Sequence, residues 1–181
     1  MRLVTYRSTV EDAARLGVID GDLVIDVAAL GHMAGVPMPG AMLDLIDAGP
    51  VALDRLAELL DNLRDPLDPG VAVPLVNVRL LAPIPRPRKN IFGIGLNYVE
   101  HVAESARTLD TARDLPKQPV IFSKPPTAVI GPGEPIRHDA ALTQQLDWEV
   151  ELACIIGRTA RRVAEADALS HVFGYSVMID V

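Results

Sequence analysis

Near the N-terminus, apolar and polar positions alternate in short runs. Leu3-Val4-Thr5-Tyr6, Ala14 to Ile19 and Leu23 to Val27 read as strands. Asp20-Gly21-Asp22 joins the last two as a tight hairpin turn, because glycine tolerates positive φ. Gly31 to Pro39 reads as a loop. The spacing then becomes helical over Ala41 to Ala48 and Val51 to Arg64, where Leu53, Leu56, Leu60 and Leu63 form a face for packing. Asp65 to Pro74 is a proline-rich surface connection, and Leu75 to Leu81 alternates like a strand. Pro83, Pro85 and Pro87 follow, and closely spaced prolines continue neither a helix nor a central strand. The boundary between two domains therefore falls between Leu75 and Asn90. We assign residues 1–77 to a small N-terminal domain and 78–181 to a second one.

In that second domain, Asn90 to Gly95 is an apolar strand ending in glycines, and Asn97 to Ser105 suits a short helix. Arg107 to Gln118 reads as a mobile loop. Pro119 to Lys124 is a strand stopped by Pro125-Pro126, and Thr127 to Ile130 is a further short strand. Trp148 to Ile156 is a strong strand, Val163 to Val172 is helical, and Phe173 to Val181 is again a strand. The pattern stops at Val181 inside an apolar strand, which suggests a piece of a longer protein. The class predicted is α+β, mainly β.

Composition narrows the function. The net charge of −7, with no cluster of basic and aromatic residues, argues against a nucleic-acid partner. Cys154 is the only cysteine, so neither an intrachain disulfide nor a cysteine-rich zinc site is available. No apolar run approaches membrane-spanning length, and the N-terminus lacks the apolar core of a signal peptide. A cytoplasmic protein without a membrane partner is the expectation.

The richest chemistry lies in Gln145-Leu146-Asp147-Trp148-Glu149-Val150-Glu151-Leu152-Ala153. Strand side chains alternate faces, so Asp147, Glu149 and Glu151 point one way, and Trp148, Val150 and Leu152 point the other, toward a core. Carboxylates about 7 Å apart repel unless water screens them or a cation lies between them. In the final strand Asp180 shares a face with Gly174, Ser176 and Met178, opposite Phe173, Tyr175, Val177, Ile179 and Val181. A carboxylate there is costly to bury unpaired. Carboxylates from these two strands, with no Cys or His nearby, describe a hard-oxygen site that favours Mg²⁺, Mn²⁺ or Ca²⁺ over zinc. The plainer alternative is a charged outer face of a half-exposed strand.

A second constellation is Gly93 to Glu104. On a helix Asn97, His101 and Glu104 share a face, at spacings of four and three residues. A carboxylate beside an imidazole orients it, which makes His101 a candidate general base for water. A surface ion pair is the plainer alternative. Gly93 and Gly95 complete no dinucleotide fingerprint, and no P-loop is present.

Four blocks in order carry a resemblance: Gly95 to Glu104, Pro119 to Ala128, Leu146 to Leu152 and Phe173 to Val181. The chain from Asn90 to Val181 resembles the fumarylacetoacetate hydrolase family, and residues 1–77 look like the N-terminal domain that many bacterial members carry. The resemblance implies a mixed β-sandwich roll, here incomplete, preceded by a small α/β domain. It implies metal ligation by Glu149, Glu151 and Asp180, with Mg²⁺ expected and Mn²⁺ or Ca²⁺ as alternatives. It implies water activation by His101 and Glu104, and a lysine beside the substrate at Lys124. Ser105 to Lys117 matches a lid loop. A homodimer acting on a small oxo-acid is implied. In the family a Thr-x-Arg-Asp-type motif follows the strand that ends at Asp180, and it is absent here.

The activity expected is metal-dependent cleavage of a C–C bond in an acylpyruvate- or fumarylacetoacetate-like oxo-acid. Isomerases, hydratases and decarboxylases of related 2-oxo acids share such a site and remain alternatives. So does a non-catalytic metal-binding or dimerisation fragment.

Overall fold

The computed structural model describes residues 1–63, 69–103 and 116–181, and residues 104–108 for their backbone alone. It comprises two compact units, one formed by Met1–Pro85 with Ile130–Val181 and the other by Arg86–Val129. The fold is α+β and mainly β, and all six strand pairings described are antiparallel.

The first unit begins with strands β1 (Leu3–Arg7), β2 (Arg15–Asp20) and β3 (Leu23–Asp26). β2 and β3 meet at Asp20↔Leu23, so the turn read over Asp20-Gly21-Asp22 is Gly21 and Asp22, with Gly21 at φ 53°. Helices α1 (Val27–Met33), α2 (Met42–Ala48) and α3 (Pro50–Asp61) follow. Gly49 at φ 72° ends α2 and caps α3, and Pro50 occupies the first turn, where its missing N–H costs nothing. Strands β4 (Ala72–Pro74) and β5 (Arg79–Leu80) complete a sheet in the order β4-β3-β2-β1-β5. Leu16, Val18 and Ile25 from the sheet meet Val27, Leu30, Leu45, Ile46 and Leu56 from the helices in its core. Leu53, Leu60 and Leu63 pack against that core, as their spacing predicts.

Three expectations about local structure need correction. The run read as a loop from Gly31 is partly α1. Asp26 ends β3 and caps this helix by accepting from the Ala29 N–H at 2.7 Å, and that cap overrides the weak helix propensity of Val27 and Gly31. Leu75 to Leu81 is not one strand. A 3₁₀ turn at Leu75–Asn77 separates β4 from β5, because these pair with β3 and β1 at opposite edges of the sheet. Thr127 to Ile130 forms no strand, since Pro126–Ala128 is a 3₁₀ turn begun by the prolines.

The sheet encloses a polar network. The Tyr6 hydroxyl, buried with its ring, donates to Asp26 Oδ2 at 2.6 Å, and Arg15 Nε lies 2.8 Å from the same oxygen. Burial first, and the Asp26 bond second, push the Tyr6 phenol well above its ordinary value of 10.0. The folded chain therefore holds this proton more tightly than the unfolded chain does. Its contribution to stability is complete below about pH 10 and is lost as pH rises toward the folded value. Urea midpoints should accordingly fall above about pH 10, and Tyr6→Phe should flatten that decline. An equally steep decline in Tyr6→Phe would refute the assignment.

The second unit holds strand β6 (Ile91–Gly95), helix α4 (Val99–Thr108) and strand β7 (Val120–Lys124), with β6 and β7 paired. Returning to the first unit, strand β8 (Glu149–Ile156) leads through a single helical turn α5 (Glu165–Ala168) and a 3₁₀ turn to strand β9 (Val172–Asp180). The helix expected over Val163 to Val172 is thus limited to its middle. β8 and β9 form a two-stranded ribbon whose Ile155 and Phe173 pack against the core.

One face of this ribbon departs from expectation. Trp148, Val150 and Leu152 do not point into a core but are 65%, 63% and 73% exposed, beside an exposed Tyr175 and Val177. Among the described residues the ribbon is a sheet of two strands, and no second layer covers this side. No helix is long and apolar enough to cross a membrane among the described residues.

Candidate functional site

The ribbon register settles where the acids stand. Glu149 pairs directly with Asp180, and Glu151 with Met178. Directly opposed residues of an antiparallel pair share a face, with Cβ atoms about 5 Å apart. Glu149 and Glu151 share that face too, two residues apart on β8. The three predicted carboxylates are therefore neighbours on one side of the ribbon. Glu149 is exposed, while Glu151 and Asp180 are half-buried. Beyond Glu151 and Met178, Ala153 and Ser176 continue the same face with small side chains.

By chemistry these carboxylates fit a divalent metal: they are hard oxygen donors on one face, and the Cys154 thiol lies on the other. As the side chains stand, no three His, Cys, Asp or Glu groups converge into a preformed cage among the described residues. A metal would have to draw the carboxylates together by rotamer changes. Met178, opposite Glu151, was not singled out from sequence. Only the register, unavailable from alternation alone, places it there.

In the second unit, α4 carries His101, which is half-buried next to the fully buried Val102. The helix begins at Val99, with Val102 N–H bonded to Tyr98 carbonyl at 3.1 Å. Asn97 therefore precedes the helix and does not share its face with His101 as expected. The cause is Leu96, whose φ of 53° turns the chain sharply between β6 and α4. His101 and Glu104 keep their spacing of one turn, but the Glu104 side chain lies outside the described residues, as does most of the predicted lid from Ser105 to Lys117.

Lys124 ends β7, half-buried and paired with Ile91. Val120 and Phe122 precede it on the same face. Opposite them β6 places Gly95 and Gly93. Lys124 is singled out from sequence, whereas the pairing of Gly93 and Gly95 with Phe122 and Val120 follows only from the register, although two glycines at alternate positions of an apolar strand are a signal for close approach.

Comparison with known proteins places these residues in a family context. A model described as fumarylacetoacetate hydrolase C-terminal matches residues 90–181. The mitochondrial oxaloacetate tautomerase fahd2 of Xenopus laevis is 36% identical over all of this chain and 52% of its own length. The fumarylacetoacetate hydrolase of Exiguobacterium antarcticum aligns with a TM-score of 0.65 and 34% identity, over 98% of this chain and 55% of that one. The maleylpyruvate hydrolase of Sphingobium sp. SYK-6, solved with manganese(II) and pyruvate, aligns with a TM-score of 0.69 and 30% identity, over 99% of this chain and 58% of that one. The chain spans about half the length of the curated relatives it matches.

Proposed function

The chain belongs to the fumarylacetoacetate hydrolase family, and from that premise we propose that it is part of a divalent-metal-dependent enzyme acting on small 2-oxo acids through enolate chemistry. The observation that carries this reading is the ribbon register, with Glu149 opposite Asp180 and Glu151 on the same face. These three residues would hold the metal, Mg²⁺ in the first instance, with Mn²⁺ or Ca²⁺ as substitutes. When bound, it supplies Lewis-acid polarisation of the substrate oxygens and stabilises enolate charge.

The chain's own groups divide the remaining work. His101, oriented by Glu104, moves the proton, because an imidazole is the side chain best matched to proton transfer near neutral pH. In C–C bond hydrolysis of an acylpyruvate the proton comes from water. In tautomerisation it comes from the carbon next to the carbonyl and returns to the enol oxygen. Lys124 binds a substrate carboxylate or oxyanion. The maleylpyruvate hydrolase likeness supports the hydrolytic reading, and the tautomerase relatives support the second. In the same reading residues 1–77 form the small N-terminal domain, residues 78–181 the front of the catalytic roll, and the working form is a cytoplasmic homodimer.

Product analysis by NMR on a panel of 2-oxo acids, including oxaloacetate and acylpyruvates, separates the two chemistries. In the same assay His101→Ala should lower turnover by about a thousandfold or more, while Mn²⁺ affinity stays within about twofold. Undiminished turnover in that variant would remove His101 from the reaction.

A further inference from the structure

We propose that Gly93 is a positioning residue: it gives the Phe122 ring a place to lie, and so keeps the Lys124 face of the β6–β7 hairpin open to an anionic substrate. The proposal rests on the reading of Lys124 as the substrate-carboxylate group.

On β7, Val120, Phe122 and Lys124 share one face, and the register sets Gly95, Gly93 and Ile91 against them. β6 thus offers no side chain opposite Val120 and Phe122. A Cβ added at Gly93 would stand 2.2 Å from Phe122 Cζ and 2.6 Å from both Cε atoms. The tip of the ring therefore rests on the bare Cα of Gly93, and the ring lies across the β6 backbone. A Cβ at Gly95 would meet Phe122 Cδ1 and Cε1 at 3.8 Å, so one edge of the ring extends toward Gly95, away from the Lys124 end of the hairpin.

Backbone conformation does not explain the glycine. Among the described residues the glycines with positive φ are Gly21, Gly35, Gly49 and Gly133, and Gly93 is not one of them. A glycine inside a strand costs stability and packs nothing, so its use here is the space it leaves.

The ring is not sealed in a core either, since Phe122 remains 37% exposed. A methyl group at position 93 would force it to another rotamer, off the sheet on the side from which Lys124 projects. Residues two apart on a strand lie about 7 Å apart, so a raised ring would stand where a carboxylate approaches the ammonium.

The test uses Gly93→Ala, Phe122→Ala and the double variant in the full chain, with two readouts. The first is steady-state kinetics on whichever oxo-acid the wild type converts. The second is the rate at which acetic anhydride modifies Lys124, followed by peptide mass spectrometry, which needs no turnover. Gly93→Ala should raise KM about tenfold with kcat within about twofold, and Phe122→Ala should stay near the wild-type KM. The double variant should return KM to within about threefold of wild type, because removing the ring removes the clash. Lys124 modification should slow in Gly93→Ala and recover in the double variant. Unchanged KM and modification in Gly93→Ala, or a double variant that recovers neither, would overturn the proposal. A large KM increase in Phe122→Ala alone would also overturn it, since the ring itself would then be the binding group. If wild type converts no oxo-acid while the modification pattern holds, Gly93 still keeps the Phe122 ring off Lys124, but the functional reading fails and with it the role of that face toward a substrate.

Discussion

Asp26→Ala should lower the unfolding free energy by about 3 kcal/mol, a large part of the roughly 5–15 kcal/mol that holds a domain together. Asp26 is 2% exposed and serves three elements at once. It accepts from the Tyr6 hydroxyl of β1, lies against the Arg15 guanidinium of β2, and caps α1 through the Ala29 N–H. Alanine would strand the Tyr6 hydroxyl in an apolar interior, at a cost of about 1–3 kcal/mol. Loss of the helix cap adds about 1 kcal/mol. The Arg15 contribution is small by comparison, since that side chain is 47% exposed and water screens the pair. Asp26→Asn keeps one acceptor oxygen, enough for the Ala29 N–H, and sets an amide NH₂ where the Tyr6 hydroxyl now donates; the hydroxyl oxygen can accept from it, so the loss should be about half as large. Urea unfolding followed by far-UV circular dichroism measures both. A loss below about 1 kcal/mol in the alanine variant would mean that the network is replaced by water or by repacking.

Asp26 also shows where a single sequence stops being legible. Leu23 to Val27 reads as a strand because its apolar run is strong, and Leu23–Asp26 is one, but Val27 already belongs to α1: alternation cannot show that Asp26 turns the chain from strand to helix. The cap is a local hydrogen bond, and the segment after it contains Val27 and Gly31, both poor helix formers. The split of Leu75 to Leu81 was hidden for a different reason: it depends on which sheet edges β4 and β5 join, a fact about topology. Helix α3 was legible because its leucines repeat at helical spacing over more than two turns. The carboxylate face was legible because a period of two survives any register, whereas the pairing of Glu149 with Asp180 belongs to the register alone. The exposure of Val150, Leu152 and Val177 was not foreseen. Apolar alternation states which face avoids water and is silent on what covers it. The histidine helix was legible in its His101–Glu104 spacing but not in its start, because the left-handed Leu96 is a backbone choice that no side-chain pattern encodes.

The second large effect concerns the carboxylates, and it should separate binding from folding. Glu149→Ala/Glu151→Ala is expected to weaken Mn²⁺ binding by about a hundredfold or more, since it removes two of three oxygen donors from the proposed site. The same substitutions should not destabilise the metal-free chain. Glu149 faces solvent and Glu151 is half-buried, so little packing is lost. Glu149 also stands directly opposite Asp180, and like charges directly opposed across two strands destabilise the pairing. Removing that repulsion should leave the metal-free variant as stable as wild type or slightly more so, with the difference shrinking at high salt. The wild type should gain stability as Mn²⁺ is added, because a ligand that binds only the folded state stabilises it in proportion to the logarithm of its concentration. The double variant should show no such gain. Electron paramagnetic resonance of free Mn²⁺ and thermal unfolding at several metal concentrations give the two quantities independently. Equal Mn²⁺ binding in wild type and variant would remove Glu149 and Glu151 from the metal site. Loss of stability in the metal-free variant would mean that these acids make structural contacts, and the charged-face alternative would then account for the strand.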